Sequence, residues 1–239
     1  MSDFDFAVSR EGAVARIDLN RPDEGNALTR DMMRRLAQVL RELGADPAVN
    51  VIVLEARGAH FCRGRDGKGE SRVGMTPYEV RINMMGAVLD VYQSLAAVPV
   101  PVVACVHADA VGFGAALATA CDVTLSASDA TFAFPEIEHG IPPTLAMCAA
   151  LGKVPNKALD YLIYSAETID AGQAVAFGIV SRIFPQASFR QDANAFVLKL
   201  SGRDRLVLET IKLYHGKAAH LTPDMASEYA GTLLALVRA

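Results

Sequence analysis

Residues 102–121, Val-Val-Ala-Cys-Val-His-Ala-Asp-Ala-Val-Gly-Phe-Gly-Ala-Ala-Leu-Ala-Thr-Ala-Cys, decide the fold. The first five are an apolar run rich in Val, the pattern of a buried strand. Gly112-Phe113-Gly114 reads as a turn, and 115–121 is a run of small residues that favours a helix. Strand, glycine turn and helix in direct succession mark an α/β chain. The turn exposes backbone N–H groups at a helix start, where the partial positive charge favours an anion or a developing oxyanion. The alternative use of the two glycines is close packing of helix on strand. A dinucleotide fingerprint would need a small residue where Leu117 stands and an acidic residue about twenty positions on, so that reading is set aside.

Upstream, residues 4–10 and 13–19 read as a hairpin around Glu11-Gly12. Residues 20–26 form a loop, and Thr29 then caps a helix with Met32, Leu36, Val39, Leu40 and Leu43 on its apolar face, closed by Gly44. Val51–Ala56 is a second buried strand. The long stretch 57–72 is rich in glycine and charge, a loop of the kind that carries function. Thr76 and Glu79 form a capping box for a helix bearing Val80, Met84, Val88, Val91, Tyr92 and Leu95, which must end before Pro99. Downstream, strands are expected at 123–126 and 131–134, followed by a loop over 135–143. The rest is mainly helical: 145–151, 156–165, 170–177, 189–199, 204–215 and 223–237, with one strand at 179–184. A compositional shift near Leu151 marks a possible boundary. No sequence repeat is legible.

The chain has 239 residues, 51% hydrophobic and 21% charged, with a formal net charge of −4. This is the make-up of a folded protein with a sizeable core. The charges are interspersed, with no basic block for nucleic acid or an anionic membrane. Met1 to Asp5 is acidic where a secretory signal would be basic and then apolar, and no apolar run approaches the ~20 residues that span a bilayer. A cytoplasmic protein acting on a small molecule is the expectation. Cys62, Cys105, Cys121 and Cys148 match no metal or redox spacing and read as reduced thiols, mostly buried. No metal site is expected.

Two further stretches can carry chemistry. Arg63-Gly64-Arg65-Asp66 follows a buried strand and can supply a second set of backbone donors; Arg63, Arg65 and Lys68 fit either a phosphate clamp or a solvated basic loop. Glu136 follows Pro135 and opens Glu136-Ile137-Glu138-His139. If extended, Glu136 and Glu138 face one side, where paired carboxylates can divide acid and base roles; a solvated surface is the commoner fate of such a pair. No serine triad, nucleophile elbow, P-loop or two-histidine motif is present.

In order, these segments resemble the crotonase (enoyl-CoA hydratase/isomerase) superfamily, from about Ala13 to Pro185. Asn20-Arg21-Pro22 with Asn26-Ala27-Leu28 is similar to its Arg-Pro…Asn-Ala-Leu, and 61–66 to its Phe-Cys-Ala-Gly-Ala-Asp. Residues 110–122 resemble Ala-x-Gly-Gly-Gly…Ala-Cys-Asp, and Phe132…Pro135-Glu136…Gly140 its Phe…Pro-Glu…Gly. Ala171 to Val180 fits Ala-x-x-Ala-x-x-x-Gly-Ile-Val. The resemblance implies an α/β fold, a spiral of ββα units over 1–185, with a helical C-terminal oligomerisation segment over 186–239 that makes homotrimers or hexamers. It implies an acyl-CoA substrate, in fatty acid metabolism, and no cofactor beyond the coenzyme A thioester itself. By position, the amides of Arg65 and Phe113 hold the thioester carbonyl as it becomes an enolate, and Glu136 moves the proton. Ala27, Leu28, Arg63, Gly64, Asp66, Lys68 and Gly112 fall at binding positions, Lys68 where the CoA phosphates are often met.

The departures narrow the reaction. Hydratases of the superfamily use two glutamates, and the first is here Ala116, which can neither hold water nor move a proton. A single carboxylate suffices to carry a proton between two carbons, so a double-bond isomerase is the leading expectation, with Glu138 or His139 as conceivable second groups. Hydration of an enoyl-CoA and CoA-thioester binding without turnover are the alternatives. Phe113 for glycine and Arg65 for alanine narrow or charge the thioester site, pointing to an unusual acyl group. Asp23-Glu24-Gly25 replaces a commonly basic stretch. The chain ends at Ala239, which implies a shortened last helix.

Overall fold

The computed structural model describes residues 6–238; the expected strand positions 4 and 5 lie outside them. A six-stranded sheet is ordered β1-β2-β3-β4-β6-β9 and a small one β5-β7-β8. The first hairpin pairs β1 (Phe6–Glu11) with β2 (Val14–Leu19) antiparallel. Its turn is Gly12-Ala13, one residue later than expected, because Glu11 pairs with Val14. The other neighbours in the large sheet, β3 (Val51–Ala56), β4 (Val102–Val106), β6 (Val123–Ala127) and β9 (Arg182–Phe184), run parallel. Parallel strands are covered on both faces, which is why β4 and the first four residues of β3 read as unbroken apolar runs.

One face of that sheet is covered by α1 (Arg30–Ala45), α3 (Gly86–Ala97) and α4 (Phe113–Ala120), in a core that includes Ile17, Leu36, Leu54, Val91 and Leu117. Each such side chain contributes about 1.5–3 kcal/mol by leaving water. The other face is covered by α8 (Phe189–Ser201), which sets Phe189, Ala193 and Val197 on Val14, Val51, Val53 and Val103. Thr29 caps α1 as expected, its hydroxyl accepting from Met32 N–H. Gly44 does not close this helix but lies within it, at a close approach where a side chain would stand 3.1 Å from Pro99 and 3.2 Å from Val98.

The spiral is built from units that each place one strand in each sheet and then turn into a helix. β4 is followed by β5 (Ala110–Val111) and α4; β6 is followed by β7 (Thr131–Ala133) and then α5 (Thr144–Ala150). β3 is followed by Cys62, which bridges Ala110 at the edge of the small sheet, and then by the helical stretch leading to α3. The capping box at Thr76 and Glu79 opens α2 (Pro77–Val80), but a π-helical turn, Arg81–Met85, separates it from α3. No break falls at Leu151, because Ala149, Ala150, Val154 and Leu159 all belong to the main core.

Further along come α6 (Asn156–Ser165), β8 (Ile169–Asp170), α7 (Ala171–Ala176), α9 (Arg205–Ala218) and α10 (Pro223–Arg238). β8 was not expected, and the strand expected at 179–184 is shortened to β9. Lys212 fastens α9 to the core by donating to the carbonyls of Leu95 and Val100 and to Asp122. Among the described residues no helix is long and apolar enough to cross a membrane.

Candidate active site

Asn26 organises the first half of the site. It sits at φ +55° and is 1% exposed. Its Oδ1 accepts from Arg21 N–H, and its Nδ2 donates to the carbonyls of Arg57 and His60, each at 2.8 Å. The loop before α1 is thereby tied to the loop after β3. Asn26→Ala leaves those buried partners unpaired and forces alanine into a left-handed conformation. Chemical denaturation should show a loss on the order of 3 kcal/mol.

Asn26 brings Leu28 beside Arg65. Leu28 N–H donates to Gly64 O at 3.0 Å, and Asp66 N–H donates to Leu28 O at 2.9 Å. In this parallel bridge the residues flanking Arg65 make the hydrogen bonds, so the N–H of Arg65 faces the other way. Asp66 braces the loop: its carboxylate accepts from Lys68 N–H at 3.0 Å and from Arg21 at 3.3 Å, which holds it below the usual carboxylate range. Ala27 O accepts from Arg21, and the Leu28 side chain is core. The carbonyl of Ala27 and the side chains of Leu28 and Asp66 thus serve the scaffold. Arg63 is exposed, 3.8 Å from Asp109, and Lys68 is exposed and paired with Glu24 at 3.1 Å.

The second half comes from the turn between β5 and α4. Gly112, at φ +55° and ψ −119°, holds a conformation that side chains resist, and it directs Phe113 to begin α4. As the first helical residue, Phe113 carries an N–H with no partner inside the helix. Neither its N–H nor that of Arg65 finds an acceptor among the described residues. The two loops touch: a Cβ built on Gly64 would lie 3.8 Å from Phe113 N, and one on Gly114 would lie 2.1 Å from Cys62 O.

Glu136 completes the set. A Cβ on Gly112 would be 3.2 Å from Glu136 Oε1, and Glu136 Oε2 is buried with no partner. Burial raises the Glu136 carboxyl above its ordinary value, against smaller opposing effects from its own backbone N–H and from His139. The stretch Pro135–His139 is a 3-10 turn, not extended, so Glu136 and Glu138 do not share a face. Glu138 and His139 are exposed, which removes both as second groups. Ala116 is fully buried on α4.

Three contributors escape a reading of sequence. Tyr92 stacks on Phe113 with ring centroids 5.9 Å apart, and its hydroxyl is pushed up first by burial and then by the Glu136 charge. Its spacing with Val88 and Leu95 signals only a core stripe. Glu70 meets the Arg65 side chain and Arg30 approaches the same carboxylate from its other oxygen, and no motif marks either. Two adjacent backbone donors beside a desolvated carboxylate can hold a carbonyl oxygen while charge develops on it and move a proton at the neighbouring carbon.

The profile of the enoyl-CoA hydratase/isomerase family matches residues 9–230. The chain belongs to this family. A probable enoyl-CoA hydratase of Mycobacterium tuberculosis is 33% identical over 198 residues, covering 81% of this chain and 74% of the relative. The solved enoyl-CoA hydratase of Mycobacterium smegmatis is similar with a TM-score of 0.90 at 27% identity, covering 97% of this chain and 90% of that one. A probable enoyl-CoA hydratase/isomerase from Mycobacterium abscessus gives 0.87 at 26%, covering 98% and 90%. As a member of the enoyl-CoA hydratase/isomerase family the chain is an acyl-CoA enzyme with the crotonase fold.

Proposed function

We propose that this enzyme shifts a double bond in an enoyl-CoA, with Glu136 as the one proton carrier and the N–H groups of Arg65 and Phe113 holding the thioester oxygen. Glu136 takes a proton from C2 of a 3-enoyl-CoA; the electrons move into a dienolate whose negative oxygen lies between the two donors. The same carboxyl returns a proton to C4, leaving the conjugated 2-enoyl-CoA. Losing one such donor typically costs about 3 kcal/mol of transition-state stabilisation.

The observation that carries this reading is the single orphaned carboxylate: Glu136 Oε2 is buried and free, while Ala116 is a methyl and Glu138 and His139 face solvent. Hydration is the second reading, favoured by the names of the relatives, and it needs a second group to position water. Tyr92, stacked on Phe113, is the side chain it would call on. Following thioester absorbance separates the two: a rise with a 3-enoyl-CoA supports isomerisation, and a fall with crotonyl-CoA supports hydration.

The Glu136 carboxyl must be ionised to accept a proton, and burial holds its pKa above 4.5. The acid limb of kcat/KM should therefore have its midpoint above 4.5, and His139→Gln, which removes an opposing charge, should move that midpoint higher. A midpoint at or below the ordinary value contradicts the assignment.

Lys68 is proposed to meet the CoA phosphates, exchanging its exposed contact with Glu24 for them. The helical segment 186–239 is proposed to form a homotrimer or hexamer. No residue of α10 is buried; Met225, Leu234 and Leu236 are exposed, as are Leu206 and Ile211 of α9, and Ile211 and Leu234 line one groove between the two helices, an apolar surface that a second copy covers. Light scattering should give at least three chains per particle; a monomer contradicts it. A cytoplasmic site of action is proposed with it.

A further inference from the structure

Among the described residues only two buried side-chain polar atoms lack a hydrogen-bond partner, Oε2 of Glu136 and Nε of Arg65. They belong to the proposed proton carrier and to a proposed oxyanion donor. A buried donor left unpaired costs stability, and native proteins rarely keep one unless something else satisfies it. Substrate carbons account for the first atom; the second needs an acceptor.

The Arg65 guanidinium is not free to search for one inside the protein. Its Nη2 donates to Glu70 Oε2, and Arg30 Nε lies 3.9 Å from the other oxygen of the same carboxylate. Arg30 is itself held by Asn83 O at 2.9 Å, a carbonyl of the π-helical turn. Glu70 is only 12% exposed and the Arg65 side chain 21%. Two guanidiniums therefore share one carboxylate, which leaves one positive charge uncompensated and one N–H unfilled in a largely dry place.

Covalent geometry limits how far that N–H can be from the chemistry. Nε is five bonds from the backbone N of the same residue, at most about 6 Å away. An oxygen bound at each end is therefore bridged by a short acyl group, of no more than about six carbons. A long hydrocarbon tail would leave Nε orphaned.

We propose, resting on the acyl-CoA reading of this same site, that Arg65 selects the acyl group: its backbone N–H takes the thioester oxygen and its side chain takes the free carboxylate of a short dicarboxylic acyl-CoA. The carboxylate neutralises the Arg30–Glu70–Arg65 cluster and makes a charge-assisted hydrogen bond to Nε. This choice separates the enzyme from one that processes plain fatty acyl chains.

The test is a calorimetric titration of the whole protein with pentanoyl-CoA and glutaryl-CoA, which have the same number of acyl carbons and differ in the terminal carboxylate. The expected result is that both bind, glutaryl-CoA at least tenfold more tightly, and that Arg65→Met, which keeps the backbone N–H, collapses the ratio towards one. Equal affinities in the wild-type protein overturn the proposal without reference to any variant. A folded Arg65→Met protein that keeps the preference overturns it as well. Failure of the wild-type protein to bind either ester overturns the acyl-CoA reading itself, and this proposal with it.

Discussion

Glu136→Gln should lower kcat for a 3-enoyl-CoA by about 10²–10⁴-fold while leaving the affinity for the CoA thioester nearly unchanged. Glutamine keeps the size of the side chain and loses the ability to take up a proton. The effect is large because the site holds no substitute: Ala116 is a methyl, and Glu138 and His139 stand in solvent. Steady-state kinetics with kcat and KM separated, alongside a binding titration, provide the check. A variant that keeps a tenth or more of the turnover would move the proton to another group. Tyr92, stacked on Phe113, would be first in line.

Gly114→Ala should be nearly as damaging without touching any reacting group. A methyl at this position would stand 2.1 Å from Cys62 O and 2.8 Å from Cys62 C, both backbone atoms that cannot rotate away. Relief requires α4 and the loop after β3 to separate by about 1 Å, and misplacement of that size costs on the order of 10²-fold in rate. The two donors, on Arg65 and Phe113, lie on opposite sides of this contact, so the carbonyl would be held by one and missed by the other. Overpacking should also lower stability by about 1–3 kcal/mol. Circular dichroism melts and kcat/KM measured together test it; a variant with unchanged rate would show that the spacing of these loops does not matter.

The parts of the fold that sequence reveals are those whose physics is local. β3 and β4 were legible to the residue because strands covered on both faces are mostly apolar runs, and α1 because Thr29 and its periodic apolar face are local signals. The repeating unit was not legible because its second strand is only two or three residues in β5 and β7 and a single bridge at Cys62, too short for any alternation to register. The π-helical turn at Arg81–Met85 escaped because a shift in helical phase leaves the apolar spacing almost intact.

The candidate site divides along the same line. Gly112, Phe113 and Glu136 sit in turns with glycine or proline beside them, and those residues announce themselves. Arg65 announced its backbone and the charge of its side chain but not the partners of that side chain, since Glu70 and Arg30 lie in a loop and at a helix start that only the folded chain brings together. The shared face that an extended backbone would give Glu136 and Glu138 does not form, because Pro135 starts a 3-10 turn, and Glu138 takes the solvated alternative.

If one carboxylate acts on a thioester enolate, the product carries the signature. The purified protein should be incubated with a 3-enoyl-CoA and the recovered ester analysed by mass and by the position of its double bond. The expected product has the mass of the substrate and a conjugated double bond, and is absent with Glu136→Gln. A product heavier by one water, or unchanged isomerisation in the variant, contradicts the account.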